Sequence, residues 1–247
     1  MKSLRYFLLP ILCVLLTGCL ELHEIIQWQK DGSAIYTMRV SIPEFPEKDG
    51  AKKGKKDKDV EEDIEELFRN TAGSGLQLLD KKDQELYGIK VFSLKLKAEK
   101  FPDLNRFYKK MSMGKKAKAA KGKKKGKDQG KEAFEQLFTK SPYHFKKTKN
   151  GTIQVTRSFS PPKIKKPKKK KKKGDKQQLG KELESTFMNM FRLSFEIFIP
   201  TELVESNAQL IFGNNLRWET TLGYLMKSPY EISFEVKSTP ELEAKLK

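Results

Sequence analysis

Three stretches of the chain cannot contribute to a packed interior, and they set where one can form. They are "KDGAKKGKKDK" (48–58), "GKKAKAAKGKKKGKDQGK" (114–131) and "KIKKPKKKKKKGDK" (163–176), with 6, 9 and 10 lysines. None shows apolar periodicity, so none buries enough surface to offset chain entropy, and their like charges repel. All three are expected to be solvated, disordered loops, which leaves the folded body to the segments between them. The chain has 51 basic and 32 acidic residues, a formal +19. Setting aside the 25 loop lysines, Lys2 and Arg5 leaves 24 basic residues; setting aside four loop aspartates leaves 28 acidic ones. The body is slightly acidic, at −4, and the positive excess belongs to the loops.

The first 18 residues have a different character. Lys2 and Arg5 precede the apolar run "YFLLPILCVLL", which ends at the small residues Thr17 and Gly18. A positive start, an apolar core of about a dozen residues and a small-residue site form a secretory signal. The run is too short to span a bilayer, which takes about 20 apolar residues. Polar "ELHE" follows within two residues. Leu16-Thr17-Gly18-Cys19 resembles the lipobox of bacterial lipoproteins. That resemblance implies cleavage between Gly18 and Cys19, lipid on the Cys19 thiol with palmitate as an acyl group, and a membrane held through that anchor. Cys13 then leaves with the signal and Cys19 is capped, so the mature chain has no free thiol for a disulfide or a metal. Its 229 residues suffice for one core held by ordinary burial.

Between the loops the packing signals are conventional. "ELHEIIQWQ" and "AIYTMRVSI" flank "KDGS", where Asp31-Gly32 suits a hairpin turn. Ala34, Tyr36, Met38, Val40 and Ile42 alternate onto one face, matched by Leu22, Ile26 and Trp28. "VEEDIEELFRN" places Val60, Ile64, Leu67 and Phe68 on one helical stripe with five carboxylates opposite, a solvated face. "LYGIKVFSLKLKAE" alternates Phe92, Leu94 and Leu96 against Val91, Ser93, Lys95 and Lys97, and Pro102 opens a helix with Leu104, Phe107, Tyr108 and Met111. "KEAFEQLFTK" is a short helix, and "YHFKKTKNGTIQVTRSF" is a hairpin turning at Asn150-Gly151. "KQQLGKELESTFMNM" puts Leu179, Leu183, Phe187 and Met190 on one side of a helix. "FRLSFEIFIP", "NAQLIFGNNLRWETTLGYL" and "YEISFEVKS" read as three or four strands, with Phe195, Ile197, Ile199, Phe234 and Val236 inward. Hairpins with helices between them predict one α+β domain over 19–247, an antiparallel sheet carrying helices on one face.

The segments 19–43 and 191–237 also resemble lipoproteins of the LppM-like kind, in which a strand ends at proline, a loop carries Asn and a strand follows with Trp. Here those are Pro200, Asn207 and Trp218. The lysine-rich loops resemble those of spirochaete lipoproteins. Together the resemblances imply a protein of the bacterial cell envelope that contacts lipid or surface polysaccharide. Leu20, where an Asp would mark inner-membrane retention in enteric bacteria, favours the outer membrane over the inner.

No catalytic signature accompanies this. The two histidines, His23 and His144, belong to no H-E-x-x-H, there is no G-x-S-x-G, and no loop reads G-x-x-x-x-G-K-[ST]. Met188 and Met190 read as core filler rather than metal ligands. No enzyme activity, cofactor or metal is expected. The candidate binding residues are the uninterrupted run Lys168, Lys169, Lys170, Lys171, Lys172 and Lys173, with Lys123, Lys124 and Lys125 in the second loop. They would meet anionic lipid, lipopolysaccharide or cell-wall polymer. In a surface adhesin they would instead meet host polyanions, and a hydrolase with two unmarked carboxylates ranks last. Without interleaved aromatics the lysines read no bases, so specific nucleic-acid binding is not expected.

Limited digestion with a lysine-specific protease should cut first within 48–58, 114–131 and 163–176, and a variant lacking all three should keep a cooperative melt, because loop length costs little closure entropy. First cuts at Lys95 or Lys97, inside "LYGIKVFSLKLKAE", would mean the body is drawn wrongly.

Overall fold

The Asp31-Gly32 turn forms as a three-residue loop, with Gly32 N donating to Gln29 O (3.0 Å) and Gln29 N to Ser33 O (2.8 Å). Gly32 lies at φ +81°, the left-handed position that closes such loops. It joins β1 (Glu21–Trp28) to β2 (Ala34–Pro43) with Trp28 opposite Ala34 and Ile26 opposite Tyr36, the four side chains buried together. The computed structural model describes residues 20–43, 76–86, 89–109, 137–162 and 188–246. The leader with Gly18 and Cys19, the three lysine-rich loops, the helix expected over 60–70, Met111, and most of the helices expected over 131–140 and 176–190 lie outside these residues.

Strand β4 (Ile89–Ala98) pairs with β2 and buries Leu94, Leu96 and Ala98, as its alternation predicts. Pro102 lies in a 3-10 turn (Phe101–Asp103) that continues as helix over 104–109, burying Leu104, Phe107 and Tyr108. The second hairpin, β5 (Tyr143–Lys147) and β6 (Thr152–Phe159), turns at Gly151 with φ +72°. The α+β class holds, with a finer arrangement than expected. Strand β3 (Leu76–Leu86) was not expected at all; it pairs with β4 through a bulge between Leu78 and Asp80. The last quarter holds five strands: β7 (Arg192–Phe198), β8 (Leu203–Ser206), β9 (Leu210–Phe212), β10 (Asn215–Thr221) and β11 (Tyr230–Lys237). "LGYL" is a helical turn, Leu222–Leu225, because Thr221 caps it by accepting from Tyr224 N (3.2 Å).

Among the described residues these strands make two sheets. One has the order β3-β4-β2-β1-β7-β10-β9 and the other β5-β6-β11-β8. All neighbours are antiparallel except β1 and β7, which run parallel at the centre of the larger sheet. Four strands cannot cover seven. The smaller sheet packs on β7 and β10, through Phe159 against Phe195 (5.3 Å) and Phe234 against Trp218 (6.1 Å). The 101–109 segment covers β1 and β2, through Phe101 against Trp28 and Phe107 against Tyr36, both 5.3 Å.

Where these two coverings meet, the interior contains a charged pair. Glu24, in phase with Leu22 and Ile26, points inward from β1, and Arg157 does so from β6; Arg157 Nη1 lies 2.6 Å from Glu24 Oε2, with both side chains buried. Tyr36 and Tyr108 donate to the carboxylate (3.1 and 3.2 Å), and Arg157 Nε donates to Ser141 O (2.9 Å). The guanidinium also lies over the rings of Tyr108 (4.3 Å), Phe159 (4.7 Å) and Tyr143 (4.8 Å), a favourable cation–π setting. Burial pushes the Tyr143 hydroxyl up to about 12 and those of Tyr36 and Tyr108 well above the usual tyrosine value, so at neutral pH all three remain neutral.

Glu24→Ala or Arg157→Ala strands one charge in this interior and should cost about 3–5 kcal/mol in urea denaturation. Replacing both together, Glu24→Leu with Arg157→Met, should cost much less than the two single changes combined. Strict additivity would show that the two groups do not act as a pair.

Candidate functional site

Cys19 and the candidate lysines Lys123 to Lys125 and Lys168 to Lys173 lie outside the described residues, so the site that can be built from geometry is elsewhere. It follows from the twofold alternation of a strand. With Leu22, Glu24, Ile26 and Trp28 turned to the core, Glu21, His23, Ile25 and Gln27 face out. The same phase holds on β2, β3 and β4, and these outer positions line a solvent-open trough of about 660 Å³.

Cross-strand register lays the trough out in rows. Lys82, Ser93, Arg39, His23, Ser194 and Glu219 stand side by side across six strands. In the adjacent row Asp80, Lys95, Thr37, Ile25, Glu196 and Arg217 do the same. On the β7–β10 side the charges are paired. His23 Nε2 lies 3.0 Å from Glu196 Oε2, Asn215 Nδ2 donates to Glu196 Oε1, and Arg217 Nη2 lies 2.6 Å from Glu219 Oε1. On the β2–β4 side Lys82 pairs with Asp80 (3.0 Å), while Arg39 and Lys95 have no carboxylate partner among the described residues. Two unpaired cations beside Thr37, Ser41 and Ser93 make this end of the trough able to receive an anion.

Serine, histidine and carboxylate thus share one patch, but Ser194 Oγ is buried without a hydrogen-bond partner. The relay that activates a serine nucleophile requires its hydroxyl to bond the histidine, and that bond is not made here. No group of three or more His, Cys, Asp or Glu side chains suited to a metal occurs among the described residues. His144 lies exposed on β5. Met188 packs against the core. Asn207 and Trp218, singled out in sequence, meet: Trp218 Nε1 donates to Asn207 Oδ1 (2.8 Å), which also accepts from Ser233 N (2.8 Å). Asn207 therefore joins β10 of one sheet to β11 of the other, a structural task.

A second surface feature escaped the sequence reading. Residues 207–216 carry no charge in a chain that is 34% charged. They form the β9–β10 hairpin, where Leu210, Ile211 and Phe212 are 57, 52 and 87% exposed and Gly213 turns the chain at φ +58°. Absence of charge over ten residues was the available signal. No described helix is long and apolar enough to cross a membrane.

No family model and no curated protein matches the chain. Among solved structures, the NMR structure of the folded domain of the Mycobacterium tuberculosis LppM protein is similar, with a TM-score of 0.45 and 8% identity over 91% of this chain and 94% of that one.

Proposed function

We propose that this chain is a lipid-anchored protein of the bacterial cell envelope, without catalytic activity, that holds anionic lipid, lipopolysaccharide or cell-wall polymer against a basic surface. The anchor rests on the "LTGC" motif at the end of the apolar leader, and the outer membrane is favoured by Leu20. The binding half rests on one observation above the others: Arg39 and Lys95 have no carboxylate partner among the described residues and stand in an open trough on the outer face of a sheet whose inner face is the core. A surface held rigid from behind loses little freedom when it binds, so even two cations contribute. The 25 loop lysines would add an unselective attraction that holds a long anion near the trough.

Cys19→Ala should leave an unprocessed precursor that takes up no labelled fatty acid and does not sediment with membranes; normal labelling and maturation of that variant would remove the anchor from this reading.

Binding to heparin, lipopolysaccharide or anionic vesicles should be strong at low salt and mostly lost by a few hundred millimolar, since released counterions drive it. Deleting all three loops should remove most of it and leave only what the trough holds. Arg39→Glu and Lys95→Glu in the full chain should each weaken it about fivefold, from about 1 kcal/mol per cation, with no change in melting temperature. A loop-free body that binds undiminished would place recognition in the sheet alone.

A further inference from the structure

The geometry points to a membrane-facing end of this fold, and we propose that Arg192, Tyr224 and Lys227 lie in the headgroup layer of the bilayer that holds Cys19. The proposal rests on the lipid-anchor reading above and adds an orientation to it. No tether separates the anchored residue from the folded body. Leu20 packs against the core, and its carbonyl accepts from Arg192 N at 2.8 Å. The anchored residue is thus one peptide step, about 3.8 Å between Cα atoms, from a residue fixed in the sheet. The headgroup region is about 5–7 Å deep on each side of the hydrocarbon. A sheet end attached so closely cannot avoid it.

What that end presents suits the location. Glu21, Arg192 and Thr221 stand in one register row at the beginning of β1 and β7 and the end of β10. From Thr221 the chain enters the turn Leu222–Leu225, held to the sheet by Leu222 N donating to Phe191 O (2.9 Å). This turn carries Tyr224, 49% exposed, and ends beside exposed Lys227. Tyrosine is favoured at the membrane–water boundary, where its ring meets apolar surface and its hydroxyl meets water. Arg192 and Lys227 have no side-chain partner among the described residues and complement anionic headgroups. Glu21 stands directly beside Arg192, and Glu85 and Lys90, in register at the same end of β3 and β4, add no net charge. The uncharged β9–β10 hairpin lies at the other end of the strands, since Phe212 pairs with Asn215 at the start of β10, roughly 20 Å from Thr221. The apolar tip therefore points away from the anchor's bilayer.

The test uses the full processed chain, in which an added cysteine is the sole free thiol. Ser228→Cys, next to Lys227, and Asn214→Cys, at the hairpin turn, would each carry a nitroxide in vesicles of equal parts phosphatidylglycerol and phosphatidylethanolamine. The expected result is a Ser228 label several-fold less accessible to a water-soluble nickel chelate than the Asn214 label. Adding Arg192→Glu and Lys227→Glu should return the first label towards the second. Mass analysis of Cys19 accompanies every sample. Equal access at both positions on an acylated chain would overturn the orientation and leave the anchor standing. An unacylated Cys19 would overturn the anchor, and the orientation with it.

Discussion

Burying Glu24 against Arg157 is the constraint to which the rest of this structure conforms. Each ion loses several kcal/mol of hydration, and their attraction offsets this only with good geometry and further hydrogen bonds. The fold supplies both from three separate places: Tyr36 beside Glu24 in the larger sheet, Tyr108 in the helical segment, and Ser141 ahead of the smaller sheet. A slip of one residue along β1 would move Glu24 to the outer face and leave Arg157 buried alone. The pair therefore ties the register of β1 to the seating of β6. It also decides which residues of β1 line the outer trough, because the neighbours of Glu24 along the strand are His23 and Ile25.

Much of this was legible in the chain. The strands with alternating apolar residues, β1, β2, β4, β7 and β11, are present with the faces their patterns imply, and the hairpin turns at Gly32 and Gly151 are where composition put them. Strand β3 was not legible because "LDKKDQE" alternates nothing. It is an edge strand with positions 81–85 all exposed, and its charges and bulge keep that edge from pairing further. The parallel contact of β1 with β7 has no local signature, since its partners lie 173 residues apart at His23 and Glu196. Glu24 could have been suspected: it occupies the core phase between Leu22 and Ile26, as Arg157 does between Val155 and Phe159. A charge at a core position reads as a break in the pattern until its partner is known.

The candidate site divides in the same way. The residues that sequence chose for chemistry, Cys19 and the lysine runs, are marked by composition and need no fold to be recognised. The trough is the reverse case. Arg39 and Lys95 are ordinary outer-face residues of amphipathic strands, and nothing in their local sequence separates them from Lys97, which follows Lys95 on the same face of β4. Only lateral register brings them to one place. The hairpin tip falls between: its ten uncharged residues are visible in sequence, but their exposure depends on β9 being an edge of the larger sheet.

The parallel β1–β7 contact has a consequence in time. A chain emerging from its N-terminus can form β2 on β1 at once, and β4 and β3 soon after. The other side of β1, "ELHEIIQW", must wait until β7 has been made and delivered. Contacts this distant in sequence form slowly, and an open strand edge is prone to pair with the wrong chain meanwhile. The core cannot close from its first half alone, because Glu24 has no Arg157 and β1 no second neighbour. A protein built this way stays incomplete through most of its synthesis, and its first four strands must wait, half-covered, for the rest of the chain.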